Sequence, residues 1–194
     1  IPEADHQVVG EGSERHVLKG IAARVDLHHG RELPAVPGEI VLCDGDALII
    51  HQKRLLKILK EIEKQLPWVT RVGLYANAKA LKMKSIDELK ELKSHGVGIV
   101  YMGLETGDDV TLKKINKGAT SARMIEMGRK AKKAGFKLSV TVLLGIAGPE
   151  RSQIHAQETG RVLSEMDPDY VGALSLMLIP DTPLHQDYVR GQFR

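Results

Sequence analysis

Acidic residues that could bind a small molecule come directly after short apolar runs of the sequence. Asp44, Gly45 and Asp46 follow the run EIVLC, and Glu105 closes the run GIVYMGLE. Aspartate and glycine turn a chain sharply and can expose carboxylates and backbone carbonyls to an ammonium group. The alternative for the Asp-Gly-Asp turn is an ordinary turn that caps a helix, which its residue types favour. Glu105 is different, because a carboxylate on an interior strand must lie at the strand end or be buried with a partner.

Apolar runs of strand length alternate with amphipathic segments of helix length. The predicted strands are residues 39–43, 71–77, 98–105, 137–145 and 170–179, and the predicted helices are residues 53–66, 85–95, 120–135 and 149–166. Strands that are apolar on both faces and separated by helices are typical of parallel sheets. The sequence therefore predicts an α/β fold, a partial (β/α) TIM-like barrel with parallel strands and with helices outside.

Ligands of parallel α/β sheets gather at the carboxyl ends of the strands. We expect mostly polar and glycine residues at those ends: Asp44, Gly45, Asp46, Tyr75, Asn77, Glu105, Thr106, Gly145 and the loop 180–183. The predicted strand 39–43 lies at an open edge of the sheet, and an unpaired edge can associate with another chain.

Composition narrows the class of protein. No apolar stretch approaches the ~20 residues of a membrane span. The net charge of +3 is spread over helices in which lysine and glutamate alternate, so no nucleic-acid patch is indicated. The single cysteine, Cys43, excludes a disulfide framework and favours a cytoplasmic location. His51, His95, His155 and His185 fall on separate elements and predict no shared metal site.

Taken together, the strand ends resemble the radical S-adenosylmethionine (radical SAM) superfamily, in the branch of the methylthiotransferases, coproporphyrinogen dehydrogenases and elongator-type proteins. The resemblance covers about residues 39–190. It is carried by the segments LCDGDAL, YAN, GLETGDDVTLKKINKGAT, VTVLLGIAGPE and LMLIPDTPLHQDY. It implies that SAM is the cofactor, although the substrate, small or macromolecular, cannot be read from the sequence.

The resemblance also implies a role for each matching residue. Asp44, Gly45 and Asp46 would hold the amino group of SAM, and Glu105 would bind near its ribose. Lys117 would meet its carboxylate, in place of an arginine. The other matching residues would line the SAM cleft. Thr141 and Gly145 would lie beside the adenosine, and Leu178 and Ile179 would lie by the adenine. Tyr75 and Asn77 would line the same cleft.

The sequence departs from the family at the iron–sulfur cluster. The family holds a 4Fe–4S cluster on three cysteines spaced Cys-x3-Cys-x2-Cys after the first strand, and uses it to generate a 5′-deoxyadenosyl radical. This chain lacks that loop, and one thiol cannot replace three thiolate ligands. We therefore predict that Cys43 is a small core residue. Two function classes stay open: a radical SAM enzyme domain that is inactive in this form, and a cluster-free module that binds SAM or a nucleotide.

Residues 1–38 differ from the rest. Their segment PEADHQVVGEGSERHVLKGI resembles the last strand-turn-helix of the cobalamin-binding domains that precede some radical SAM barrels. We predict two parts, residues 1–38 as such a remnant and residues 39–194 as a barrel whose first strand is missing. Cobalamin itself is not expected, because the rest of its domain is absent.

Overall fold

The computed structural model describes residues 38–43 and 45–193. Five parallel strands form one sheet in which the spatial order is the sequence order. They are β1 (Gly38–Leu42), β2 (Val69–Tyr75), β3 (Val97–Glu105), β4 (Lys137–Leu144) and β5 (Tyr170–Ser175). The sheet curls into a half-barrel, which confirms the predicted partial α/β barrel.

Helices connect successive strands and follow the last one. They are α1 (Gln52–Gln65), α2 (Ala78–Met83), α3 (Ile86–Ser94), α4 (Asp109–Lys114), α5 (Ser121–Lys133), α6 (Ser152–Met166) and α7 (Pro183–Val189). Short 3-10 turns, Ala47–Ile49 and Pro149–Arg151, precede α1 and α6. The spacing of Ser85 and Glu88 in the sequence predicts a capping box at the start of α3. It is present, because the Glu88 N–H donates to Ser85 Oγ and the Ser85 N–H donates to Glu88 Oε2.

The core lies between the helices and one face of the sheet, which we call the outer face. Val100, Leu104 and Leu138 are completely buried on that face, and Leu55 of α1 is completely buried as well. The opposite, inner face is only partly covered: Tyr101, Gly103, Ser139 and Thr141 are all partly exposed there. Side chains of the inner face are therefore available to a ligand.

The last strand, β5, is shorter than the sequence predicts. All six residues of β5 are exposed. The strand ends at Ser175, so the predicted extension to residue 179 is wrong. Parallel pairing ends there because β4 ends at Leu144, whose carbonyl accepts the last bond, from the Leu176 N–H.

Cys43 was predicted to be a core residue and is instead exposed. It follows β1, which within the described residues pairs only with β2, so one side of the thiol has no neighbouring strand. Its Sγ lies 3.4 Å from the Val41 carbonyl.

Residues 1–37 lie outside the described residues, and the predicted division near residue 38, with its cobalamin-domain-like remnant, stays a prediction. None of the helices in the described part of the chain combines the length and the hydropathy that a membrane crossing requires.

Candidate functional site

Glu105 is held in an unusual backbone conformation at the end of β3. The consecutive residues Thr141 and Val142 of β4 pair with Gly103 and Glu105 of β3, so Leu104 is one extra residue and the strand bulges there. Glu105 has a φ of 64°, and the Thr106 N–H donates to the Leu104 carbonyl at 2.8 Å, which closes a tight turn around it. A bulge re-aims a side chain, and backbone strain of this kind concentrates at functional sites.

The carboxylate of Glu105 lies over the inner face and pairs with Lys117. The Lys117 Nζ donates to Glu105 Oε1 at 2.8 Å, and both side chains are about one fifth exposed, at 21% and 20%. A Cβ at position 103 would lie 2.4 Å from Glu105 Oε1 and 3.1 Å from Lys117 Nζ. A larger residue at position 103 would therefore displace this pair from its place on the sheet.

Asp46 reaches the end of the neighbouring strand β2. Its Oδ2 accepts from the Asn77 N–H at 3.1 Å, and Asn77 Oδ1 in turn accepts from the Ala80 N–H at 2.9 Å as the cap of α2. The other oxygen, Asp46 Oδ1, is buried and has no hydrogen bond of normal geometry, although the N–H groups of Leu48 and Ile49 also face this carboxylate. Burial raises the pKa of Asp46, and hydrogen bonds from backbone N–H groups oppose this rise. An unpaired buried acceptor of this kind is suited to a donor from a ligand.

The remaining predicted residues lie along the same edge or on the inner face. Gly45 (φ 66°) and Gly145 (φ 91°) are exposed in left-handed turns that glycine favours. Tyr75 ends β2 and is 47% exposed. Thr141 is on the inner face, paired with Gly103. Leu178 and Ile179 follow β5, and Ile179 is exposed. Asp44 lies outside the described residues.

A buried polar network that the sequence did not predict fixes the segment after Glu105. The carboxylate of Asp108, 5% exposed, accepts from Arg151 Nε at 2.7 Å and Nη2 at 2.8 Å. It also accepts from the Thr111 hydroxyl at 2.6 Å. The hydrogen bond to Arg151 holds the pKa of Asp108 well below its usual range. We call Thr106, Asp108, Arg151, His155 and Thr159 the β3–α6 clamp.

The rest of the clamp joins the same segment to α6. His155 Nδ1 lies 2.8 Å from Thr106 Oγ1, and the Gly107 N–H donates to Thr159 Oγ1 at 2.9 Å. His155 lies on α6, as the sequence predicts. Its side chain is buried, and this burial lowers the pKa of the imidazole. The sequence does indicate that Asp108 could cap a helix. It does not indicate that Arg151, 43 residues further along the chain, is its partner.

Metal-binding side chains do not gather in the described residues. Within them, no group of three or more His, Cys, Asp or Glu side chains is arranged to hold a metal ion. The described carboxyl edge instead carries Asp46, with one buried and unpaired oxygen, and, two strands further on, the Glu105–Lys117 ion pair.

Comparison with known proteins decides the family. The model of the radical SAM superfamily matches residues 30–156, which is more than half of the chain. The chain belongs to the radical SAM superfamily. This confirms the resemblance read from the strand ends.

Among the relatives of this radical SAM chain is an uncharacterised protein of Methanocaldococcus jannaschii, 26% identical over 140 residues, which are 70% of this chain and 43% of that protein. An archaeal Elp3 from Methanocaldococcus infernus, with its N-terminus deleted, has a TM-score of 0.65 at 16% identity, over 93% of this chain and 45% of that one. The chain thus spans less than half of these proteins.

A further similar structure contains bound ligands. It is the cobalamin-dependent S-adenosylmethionine radical enzyme OxsB with aqua-cobalamin and S-adenosylmethionine bound, with a TM-score of 0.52 at 16% identity, over 79% of this chain and 23% of that one. At such identities, these structures show that the radical SAM chain shares their fold.

Proposed function

We propose that this chain binds SAM at the carboxyl edge of the half-barrel and forms the SAM-binding part of a radical SAM enzyme. The observation that carries the proposal is the buried, unpaired Asp46 Oδ1. It lies beside Asn77 at the same sheet edge as the Glu105–Lys117 pair. Membership of the superfamily supports the choice of ligand.

Three charged residues would receive the polar groups of SAM. The α-ammonium group would donate to Asp46 Oδ1, with Asp44 and Gly45 in the same turn. Glu105 would accept from a ribose hydroxyl, and Lys117 would donate to the carboxylate. Glu105 and Lys117 share one hydrogen bond and are each about one fifth exposed. Each side chain can therefore keep its bond to the other while it forms a second bond with the ligand.

The less polar positions would accompany the adenosine. Thr141 and Gly145 would lie beside it, and Leu178 and Ile179 would cover the adenine. Tyr75 and Asn77 would flank the methionine end, where Asn77 already fixes Asp46 through its backbone N–H.

The residues of this chain do not fit a 4Fe–4S cluster. The sequence has one cysteine, and Cys43 is exposed with its Sγ near its own strand's carbonyl. A cluster of this type is held by several cysteine thiolates. We therefore propose that this chain binds SAM without holding the cluster on its own cysteines. The second candidate, a cluster-free binding module without catalysis, is favoured by the same single cysteine.

Calorimetric titration of the whole chain with SAM tests the proposal. Without a cluster, SAM would be held by only two or three charge-assisted contacts with side chains, which predicts a dissociation constant of about 1 mM. Glu105→Ala should weaken binding about tenfold, since such a contact contributes ~1.5 kcal/mol or more. The matched control is Glu126→Ala, which removes an ion-paired glutamate from the outer surface of α5.

A second ligand separates the two ends of the site. 5′-Methylthioadenosine has the ribose and adenine of SAM but lacks the α-amino and carboxylate groups of its methionine part. Lys117→Met should therefore weaken SAM binding and leave methylthioadenosine binding unchanged, whereas Glu105→Ala should weaken both. Equal effects of Glu105→Ala and Glu126→Ala on SAM would contradict the proposed site.

Iron analysis tests the cluster statement. After anaerobic reconstitution with iron and sulfide, the chain should hold far less than one cluster per molecule. About four irons per chain, together with thiolate-to-iron absorption, would overturn it.

A further inference from the structure

Lys84 is a buried lysine, 6% exposed, at the junction of α2 and α3. Its Nζ donates to the Ile50 carbonyl at 2.7 Å. Burial lowers the pKa of Lys84, and the charge of Glu88 opposes this fall. Lysine is rarely buried, because removing an ammonium group from water is costly. An apolar side chain would fill this place at a lower cost, so what the lysine adds is its bond to Ile50.

Ile50 ends the turn that carries Asp46. The Ile49 N–H donates to the Asp46 carbonyl at 3.1 Å, and the Ile50 N–H donates to the Ala47 carbonyl at 3.3 Å. We call residues 46–50 the Asp46 turn. Asp46 is its first residue and Ile50 is its last. A bond that holds the Ile50 carbonyl therefore also limits where the Asp46 carboxylate can lie.

The helix α2 holds both ends of the Asp46 turn. Asn77, which caps the start of α2, donates its backbone N–H to Asp46 Oδ2 at 3.1 Å. Lys84, which follows the end of α2, donates to the carbonyl of Ile50. The six residues of α2 are a rigid link between these two donors. The turn is therefore fixed relative to the sheet edge at two points.

The backbone of Lys84 is itself held from two sides. Its N–H donates to the Ala80 carbonyl at 3.3 Å, and its carbonyl accepts from the Nζ of Lys130 on α5. The same Nζ donates to the Leu81 carbonyl at 2.8 Å. The next residue, Ser85, begins the capping box of α3. The side chain of Lys84 therefore projects from a fixed backbone position.

We infer that Lys84 is a positioning residue that sets the Asp46 carboxylate at the place where the ammonium group of SAM binds. This inference rests on the proposed function, in which Asp46 accepts from that group. Lys84 acts through the Ile50 carbonyl and the Asp46 turn, and it does not contact the ligand. Its effect should therefore be confined to the methionine end of SAM and should leave the ribose and adenine contacts unchanged.

Amide NMR of the ligand-free chain tests whether Lys84 holds the Asp46 turn. In the native chain, the Asn77 amide signal should move with pH as Asp46 titrates, because this N–H donates to the carboxylate. Lys84→Met replaces the ammonium group by a side chain of similar length that has no donor. The movement of the Asn77 signal with pH should then fall to about a third, because a hydrogen bond weakens steeply when its geometry is lost. A full Asn77 response in a folded Lys84→Met chain would overturn the inference.

Lys132→Met is the matched control. It also removes a lysine whose Nζ donates to a backbone carbonyl, that of Asp167, but at the opposite edge of the sheet, beyond the end of α6. The amide signals of β3 and β4 report whether each variant folds. Lys132→Met should keep the native Asn77 response. An equal loss of this response in both variants would assign the effect to general loosening and would overturn a specific role of Lys84.

Two ligands separate the positioning of Asp46 from a disturbance of the whole site. Lys84→Met should weaken SAM binding about fivefold, because part of one charge-assisted contact is lost. It should leave the binding of 5′-methylthioadenosine unchanged, because that ligand has no α-ammonium group for Asp46. Lys132→Met should leave the binding of both ligands unchanged. Equal weakening of both ligands by Lys84→Met would overturn the inference.

A measurement on the native chain does not depend on how the variants fold. If the bond between Lys84 and Ile50 favours SAM binding, SAM binding must favour that bond by the same factor. Hydrogen exchange of the Lys84 ammonium group, followed by ¹⁵N NMR, should therefore slow about fivefold when SAM saturates the chain. Methylthioadenosine should not slow it. An unchanged Lys84 exchange rate at saturating SAM would overturn the inference.

The outcomes separate this inference from the proposed function. If the native chain binds SAM, and Lys84→Met changes neither the Asn77 response nor the affinity for SAM, the proposed function stands and the role of Lys84 is wrong. If calorimetry detects no SAM binding to the native chain, the proposed function fails and the role of Lys84 towards SAM fails with it. The Asn77 response without ligand still decides whether Lys84 holds the Asp46 turn.

Discussion

Asp108→Asn removes the charge at the centre of the β3–α6 clamp while keeping the shape of the side chain. In the native chain, the Asp108 carboxylate is 5% exposed and accepts two bonds from Arg151, at 2.7 and 2.8 Å. The amide would keep one acceptor but would turn an NH2 group towards donors of Arg151 or Thr111. The clamp should therefore loosen without a change in volume.

The expected cost follows from the geometry. Breaking a fully buried ion pair costs about 3–5 kcal/mol. Here the partner guanidinium is 33% exposed and can turn to water, and the remaining oxygen keeps bonds from α4. We therefore expect Asp108→Asn to lower the free energy of unfolding by about 2 kcal/mol. For a chain of this size, that corresponds to a melting temperature lower by about 4–8 °C.

Urea unfolding at several pH values measures this effect. The folded-state pKa of Asp108 is held well below its ordinary value of 3.8, so its carboxylate stabilises the fold fully above that pH and loses this contribution as the pH falls further. The difference between native chain and variant should be largest at pH 7 and should shrink below about pH 4. Glu165→Gln, which removes a surface carboxylate paired with Arg161, is the matched control and should leave the urea midpoint unchanged. A difference that is independent of pH, or equal in the control, would refute the reasoning.

Three further outcomes follow from the site. Glu105→Gly should be more stable than Glu105→Ala by about 1 kcal/mol in urea unfolding. Both variants lose the ion pair with Lys117, but only glycine adopts the φ of 64° without strain. Equal stabilities would show that this conformation is unstrained. Asp46→Asn should raise the free energy of unfolding at pH 7, because burial raises the pKa of Asp46 and so favours its neutral form. This gain in stability should vanish below about pH 4, where Asp46 is itself neutral. A loss of stability at pH 7 would contradict the unpaired state of Oδ1. Cys43 should react with a thiol reagent in the native chain at the rate of a free thiol, and protection until unfolding would mean that it is buried.

The strands were predictable because their signal is local. Apolar runs of strand length separated by amphipathic segments fixed β2, β3 and β4 to within about two residues, and the Ser85–Glu88 cap of α3 was read correctly. The end of β5 was not, because the residues after Ser175 remain apolar and pairing stops only where β4 stops. Cys43 was misplaced because an apolar neighbourhood in sequence does not show that its strand lies at an edge.

The position of the candidate residues at one sheet edge was predictable, but the contacts that hold them there were not. Asp46 and Glu105 followed apolar runs, and parallel strands brought them to one edge. Lys117 was named only through the family resemblance, and its ion pair with Glu105 was not predicted. The clamp joins residues 43 to 52 positions apart, and nothing local in a sequence links Asp108 to Arg151 or Thr106 to His155. The positive φ of Glu105 was hidden because glutamate rarely adopts it.

The short helices illustrate the same limit. α2 and α4 have six residues each, too few to show a helical period, although Asn77 and Asp108 cap them. Cap residues are common in turns as well, so a cap without a following period did not predict a helix.

Backbone NMR of the whole chain during titration with SAM tests the central claim most directly. If SAM binds at the carboxyl edge, the amide signals of Gly45, Asn77, Glu105, Lys117 and Gly145 should shift together, with one dissociation constant near ~1 mM. The amides of Gly96 and Gly135, which precede β3 and β4 at the opposite edge, should stay in place. Shifts confined to that opposite edge, or none at ten times this concentration of SAM, would contradict the account.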